Sequence, residues 1–283
     1  MAEPPESGRG PDPAVLIALA TALEARLQAA PGLVVAGICG SQASGKSTLA
    51  AALAARFTAA GVPAATLSLD DLYLSRADRQ RLASKVHPLF ATRGPPGTHD
   101  TALGLRVIDA LAQGRPTPLP RFDKLRDEPW PQAQWPLAPA GTRLLVLEGW
   151  CLGAAPQAGA DLAEPVNELE REEDPDGIWR TRANAMLAGP CQALWRRIDH
   201  LTLLAAPGFE VVHAWRREQE HGLLQADSRG LSGMDDAALA RFIAHYERLT
   251  RHILTEMPAR ADLLVRLDPQ RRPLAIRARD RGD

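Results

Sequence analysis

Gly40-Ser41-Gln42-Ala43-Ser44-Gly45-Lys46-Ser47-Thr48 is the stretch that decides how the rest of the chain is read. The apolar run 33–39 precedes it, and an Ala/Leu-rich segment, 49–57, follows. A buried strand, a G-x-x-x-x-G-K-[ST] loop and a helix, in that order, make a P-loop pattern. Its chemistry lies mostly in the backbone. The two glycines let successive N–H groups turn inward and form an anion nest at the positive end of the next helix. Gly40, Ser41, Gln42, Ala43, Ser44, Gly45, Lys46, Ser47 and Thr48 are therefore the candidate cradle for the triphosphate of ATP or a similar nucleotide. Lys46 can reach the β- and γ-phosphates, and the Ser47 hydroxyl can join the shell of a Mg²⁺. The chain has 33 Lys and Arg residues, and only positions 46, 85 and 124 are lysine. A lysine in an arginine-favouring chain points to a role for a compact ammonium.

With 283 residues and 45% apolar content, the chain can bury one large α/β core. Its net charge of −1, without any Lys/Arg run, argues against a nucleic-acid footprint. Cys39, Cys151 and Cys191 are scattered, matching neither a disulfide framework nor zinc spacing. They read as small apolar fillers in a reducing compartment. Residues 1–13, rich in Pro, Gly and Glu, are expected to form a disordered tail rather than a signal sequence. No apolar run is long enough to span a bilayer. The expectation is a cytoplasmic protein, monomer or homodimer, with neither a nucleic-acid nor a membrane partner.

The remaining pattern alternates strands and helices, which implies a mostly parallel sheet covered on both faces, a three-layer α/β/α arrangement. Residues 14–283 are expected to form a single domain. A helix is expected over 12–30 with Asp12 as cap, a second strand over 64–69, and a third over 143–147. Further helices are expected over 101–112, with Asp100 as cap, and over 178–197, 210–224 and 234–257. Strands are expected over 200–205 and 261–267. Residues 75–139 are irregular and lie on the acceptor side. The acidic stretch 153–176 reads as a surface insertion, and 210–232 as a lid. Trp130 and Trp135, in a Pro-rich stretch, read as cover for the core.

Transfer of a phosphoryl group needs a residue to ready the acceptor, a carboxylate near the metal and positive charge over the migrating group. Asp70 and Asp71 stand at the end of the second strand, the edge where ligands collect in open sheets. Asp70 can take the proton of an acceptor hydroxyl; an Asp-Asp turn or helix cap is the structural alternative. Glu148, at the exit of an apolar strand, can hold Mg²⁺ opposite Ser47, or simply be solvated. Arg216 and Arg217 can swing onto the phosphates as part of a lid, or form an exposed helix face with i,i+4 pairs. Asp71, Tyr73, Arg93, His99, Asp100, Arg121 and Lys124 are candidates for contact with a small anionic or polyhydroxy acceptor, with arginine suited to a carboxylate. His200, His213, His245 and His252 show no metal-ligand spacing and read as structural.

The P-loop, the run 67–73 and Leu147-Glu148-Gly149 resemble the uridine kinase, pantothenate kinase and phosphoribulokinase group of P-loop kinases. Within that group the chain is most similar to plant and fungal-type D-glycerate 3-kinases and their bacterial relatives. The segments that carry this are 68–74, the R-G-x-x-G-[ST]-H-D pattern within 88–100, 120–124, Glu148-Gly149-Trp150-Cys151-Leu152-Gly153, 215–220 and 233–236. Together they run from about 33 to 273, with no counterpart for 152–180. The resemblance implies a Mg²⁺-dependent transfer from ATP to glycerate, with Asp70 as base, Asp100 as a substrate-side acid and Arg216/Arg217 in the lid. Pantothenate, a nucleoside or another sugar acid are the rival acceptors. A nucleoside calls for an aromatic slot, and the chain has only two tyrosines, Tyr73 and Tyr246. A GTP-binding regulator would need an [NT]-K-x-D segment, and none of the three lysines supplies one. Retention of Lys46, Ser47, Asp70 and Glu148 together argues against a catalytically dead scaffold.

Overall fold

Asp12 caps the first helix by accepting from the backbone N–H groups of Ala14 and Val15, and Pro13 takes the first helical position. The computed structural model describes residues 10–226 and 236–279. Most of the expected tail, the end of the lid segment and residues 233–235 lie outside the described residues.

In chain order the elements begin with α1 (Pro13–Ala29), β1 (Val34–Gly40), α2 (Lys46–Ala59), β2 (Ala64–Ser68), α3 (Arg76–Lys85) and α4 (Thr101–Ala112). Four two-residue strands follow: β3 (Thr117–Pro118), β4 (Phe122–Asp123), β5 (Glu128–Pro129) and β6 (Leu137–Ala138). Next come β7 (Leu144–Gly149), α5 (Glu168–Glu173), α6 (Ile178–Met186), α7 (Gln192–Trp195) and β8 (His200–Ala205). The chain ends with α8 (Phe209–Ala226), α9 (Asp236–Glu256), β9 (Leu263–Leu267) and β10 (Pro273–Ala278).

The main sheet runs β10-β9-β8-β1-β7-β2, parallel except for the β10 edge. Its three central strands are buried at every position, as continuous apolar runs in a doubly covered sheet should be. The edge strand β2 alternates instead. Side chains along β1 divide between two cores. Val34, Ala36 and Ile38 pack with α1, α2 and α8, whereas Val35 and Cys39 pack with α4, α7 and the later turns of α9. On α2 the buried residues Leu49, Ala50, Leu53, Ala54 and Phe57 recur at helical spacing, so one face lies on the sheet. The result is a three-layer α/β/α fold, with the P-loop at the C-terminal edge of its central strand. Among the described residues no helix is long and apolar enough to cross a membrane.

Three segments differ from their expectation. The helix expected over 178–197 is interrupted by a π-helical segment, Leu187–Cys191, that contains Pro190. Proline has no N–H for the ladder and its ring crowds the preceding turn, so the helix widens there. The acidic stretch 153–176 is anchored rather than peripheral: Glu170 is fully buried, and its carboxylate accepts from Arg248 of α9 at 2.8 and 2.7 Å. Arg248 also donates to the carbonyls of Asp161 and Glu164, and buried Asp174 pairs with Arg180 at 3.1 Å. Finally, β10 adds an antiparallel edge beyond the last expected strand, joined to β9 by a turn with Arg271 at φ +63°.

Candidate active site

The cradle is built from left-handed backbone and unpaired oxygens. Gly45 (φ +89°) and Ala43 (φ +58°) turn the chain back on itself, and α2 starts at Lys46, with Thr48 in its first turn. A Cβ at Gly40 would lie 2.6 Å from Ser44 Oγ, which explains the glycine at the loop entrance. Ser41 Oγ, Gln42 Oε1 and Ser44 Oγ are buried and find no hydrogen-bond partner among the described residues. Buried polar groups ordinarily have partners, so orphaned hydroxyls at a helix N-terminus fit a polyphosphate.

Glu148 closes β7 beside this loop. Its Oε1 accepts from Ser47 Oγ at 2.9 Å, and its Oε2 lies 3.9 Å from Lys46 Nζ. Burial pushes the Glu148 carboxyl up, against the pull of Lys46. A buried carboxylate of this kind next to a hydroxyl suits a divalent cation that keeps most of its ligands as water and phosphate oxygen. The described residues contain no group of three or more His, Cys, Asp or Glu side chains able to hold a metal. Ser47 and Glu148 form the donor pair here.

One crossover later, β2 ends in a 3₁₀ turn, Leu69–Leu72, closed by a capping box between Ser68 and Asp71. The box assigns the two aspartates different work. Asp71 accepts from Ser68 N, Phe122 N and Arg121, and so ties the 120–124 segment to the end of β2. Burial, only partly offset by Arg121, lifts its carboxyl to about 6. Asp70 faces the other way. Its Oδ1 accepts from the Tyr73 hydroxyl at 2.7 Å, and its Oδ2 lies 3.3 Å from Lys124 Nζ. Burial opposes its ionisation, yet Lys124, Lys46, the Tyr73 hydroxyl and His99 together hold the carboxyl well below the usual carboxylate range. Lys46 and Asp70 therefore share one electrostatic environment. Gly149 permits this closeness, since a Cβ there would come within 2.6 Å of Leu69 Cβ.

The other acceptor-side candidates fall into two groups. Arg93 Nη1 donates to Asp127 at 2.6 Å; Asp127 also receives the fully buried Arg79 and lies 3.5 Å from Arg76. Arg93 thus belongs to an arginine trio around one carboxylate. His99 bridges to Tyr73 in the backbone and stacks on its ring at 4.8 Å. Burial, partly offset by Asp70, lowers its pKa to about 4, so the neutral imidazole is favoured at pH 7. Asp100 caps α4 through Oδ1, which accepts from Leu103 N at 2.8 Å, and its Oδ2 lies 3.7 Å from Arg106. On α8, Arg216 sits 5.9 Å from the Phe242 ring centre, packed toward α9, while Arg217 is exposed.

Sequence reasoning missed the contacts that hold the R-G-P-P-G-T-H-D loop. The Gly94 N–H donates to Thr98 Oγ1 at 3.0 Å, the Trp150 indole donates to the Gly94 carbonyl at 3.1 Å, and the Tyr246 hydroxyl donates to the Arg93 carbonyl at 3.0 Å. Gly94 itself has φ +120°, and a Cβ there would collide with Tyr246. Trp150 and Tyr246 also pack edge to face at 4.8 Å. Asp127 and Arg79 were missed as well. Their only local signal is an Asp two residues before a proline and one arginine among several.

Comparison with known proteins adds an independent line. The chain is 33% identical over 223 residues to the uncharacterized kinase mug58 of Schizosaccharomyces pombe, covering 75% of this chain and 78% of that one. It is 26% identical over 265 residues to the chloroplastic D-glycerate 3-kinase of Arabidopsis thaliana, covering 86% of this chain but only 54% of the plant enzyme. Among solved structures, D-glycerate 3-kinase from Cryptococcus neoformans var. grubii superposes with a TM-score of 0.79 at 22% identity, over 95% of this chain and 100% of that one. That last likeness speaks to the fold. No protein-family model matches the chain.

Proposed function

The chain belongs to the P-loop kinase family that includes mug58 and the D-glycerate 3-kinases, and is an ATP-dependent phosphotransferase acting on a hydroxyl group; we propose that its acceptor is D-glycerate, phosphorylated at the 3-hydroxyl. One observation carries this reading. Asp70, held ionised, feels the P-loop Lys46 and pairs with Lys124, while Arg121 pairs with the adjacent Asp71. A small acid fits such a surface: its hydroxyl faces Asp70 and its carboxylate competes for a cation now paired within the protein. The aromatic rings nearby do not offer a slot for a base. Tyr73 stacks on His99 and meets Phe122 edge to face at 5.3 Å, so these rings satisfy one another.

In this mechanism the P-loop N–H groups and Lys46 hold the β- and γ-phosphates, and Asp70 accepts the hydroxyl proton as the oxygen attacks. Tyr73 keeps the Asp70 carboxylate oriented through its 2.7 Å hydrogen bond. Ser47 and Glu148 would hold Mg²⁺, which when bound neutralises charge on the phosphate oxygens. Arg216 and Arg217 supply the lid charge in this reading.

A coupled ADP-release assay over D-glycerate, L-glycerate, pantothenate and uridine tests the acceptor. D-Glycerate is expected to give the highest kcat/KM, at least about 10-fold above uridine, which lacks the carboxylate and so forgoes one charge-assisted hydrogen bond. L-Glycerate and pantothenate keep that group and test the placement of the hydroxyl and the size of the site. Faster turnover of pantothenate or uridine would replace the acceptor while leaving the kinase class untouched.

A further inference from the structure

Three non-glycine residues among those described have left-handed backbone, Ala43, Asp127 and Arg271, and two of them are bonded to each other. Ala43 (φ +58°) lies in the middle of the P-loop. Arg271 (φ +63°) lies in the turn between β9 and β10, 228 residues further on. Arg271 Nε donates to the Ala43 carbonyl at 2.7 Å, and its Nη2 donates to Glu218 of α8, also at 2.7 Å. The guanidinium lies 5.1 Å from the centre of the Trp215 ring, and the Trp215 indole donates to the Pro269 carbonyl at 2.8 Å. The turn is itself closed: Arg271 N donates to the Asp268 carbonyl, and Asp268 Oδ1 accepts from Gln270 N and Arg272 N.

An arginine in a conformation that glycine adopts more cheaply needs a use for its side chain. Here that use spans three parts of the molecule. The bond to Ala43 engages a carbonyl, the half of the peptide that a polyphosphate would repel. The planar fork leaves Nη2 for the lid helix, and its face rests on Trp215.

We infer that Arg271 is a positioning residue: its guanidinium holds the strained Ala43 peptide of the P-loop and joins that loop to helix α8, so that nucleotide binding and the placement of the lid helix are coupled through it. The inference rests on the nucleotide half of the proposed function and not on the identity of the acceptor. It can be tested with nucleotide alone.

The test compares the full-length chain with Arg271→Ala, Arg271→Lys and Glu218→Gln. ATP affinity is measured by calorimetry, and hydrogen exchange over 209–218 is followed with and without saturating ATP. Arg271→Ala is expected to weaken ATP binding about 10-fold, the size of one charged hydrogen bond, and to abolish the protection that ATP confers on 209–218. Glu218→Gln is expected to keep ATP affinity within about twofold, because Arg271 still holds Ala43, while losing most of that protection. Arg271→Lys keeps the charge but has no fork to span both partners, so its protection is expected to match Arg271→Ala. Steady-state assays should show KM for ATP rising more than KM for the acceptor. Unchanged ATP affinity in Arg271→Ala would overturn the inference, as would intact ATP-dependent protection of 209–218 in that variant. Restoration of both properties by lysine would show that charge alone suffices and would overturn the clamp. If the unaltered chain does not bind ATP, the nucleotide reading and the inference fall together; if it binds ATP but turns over no acceptor, only the acceptor assignment fails.

Discussion

The two halves of the candidate site are built from different materials. The P-loop half uses main-chain groups, two left-handed residues and a helix start, and it leaves Ser41, Gln42 and Ser44 side-chain oxygens without partners. The acceptor half uses side chains, and its charges are already matched: Asp70 with Lys124, Asp71 with Arg121, Arg93 with Asp127. A backbone cradle is complete before its ligand arrives. On the proposed reading, a floor of matched ion pairs exchanges partners when an anionic acceptor enters, because that acceptor competes with the resident aspartates. On that reading the first half is a fixed mould, and the second is selective through competition.

Substitutions can break or sharpen that contrast. The largest effect is expected for Asp70→Asn, which keeps the shape and removes the base: kcat should fall by about 10³-fold, within the range for general-base removal, in a steady-state assay. Arg93→Ala should raise KM for the acceptor by about 10- to 100-fold through loss of a charge-assisted contact, with KM for ATP little changed; Arg79 remains on Asp127 to hold the loop. An equal rise in both constants would mean that the two halves are not separate.

Lys124→Met sharpens the same point through pH. Lys124 helps hold the Asp70 carboxyl low, so Asp70 is ionised across the neutral range and loses its base form only in acid. Removing the ammonium raises that carboxyl, so the acid limb of kcat/KM for the acceptor should move to higher pH, with a change at pH 8 below about 10-fold. An unmoved limb would separate Lys124 from the base. The smallest effect is expected for Ser44→Ala. If main-chain groups do most of the binding, KM for ATP should change by less than about threefold, near the low end for a neutral hydrogen bond; a large loss would shift the weight from backbone to side chain.

The same contrast explains what was legible in the sequence. The P-loop, the apolar central strands and the cap at Asp12 depend on neighbours within a few residues, so local spacing shows them. The strand-end position of Asp70 was visible for the same reason. The division of labour between Asp70 and Asp71 was not, because it follows from a capping box and from contacts to Phe122 and Arg121 some 50 residues away. Asp100 had two readings, cap and substrate acid, and the structure shows the cap bond through one carboxylate oxygen. The Trp150–Gly94 and Tyr246–Arg93 bonds join segments 56 and 153 residues apart, where no periodicity can announce them. β10 escaped because its turn places Arg271, rather than glycine or asparagine, at the left-handed position. Pro190 was visible, but its outcome, a widened turn rather than a helix end, depended on the packing around it.

The most direct test of this division is the affinity of the Asp70→Asn chain for ATP, measured by calorimetry without acceptor. If the nucleotide mould is complete in the backbone and Asp70 serves only the acceptor, ATP should bind within about threefold of the unaltered chain, or more tightly because a negative charge near Lys46 is gone. Binding weakened 10-fold or more, in a variant that unfolds at the same temperature, would contradict it.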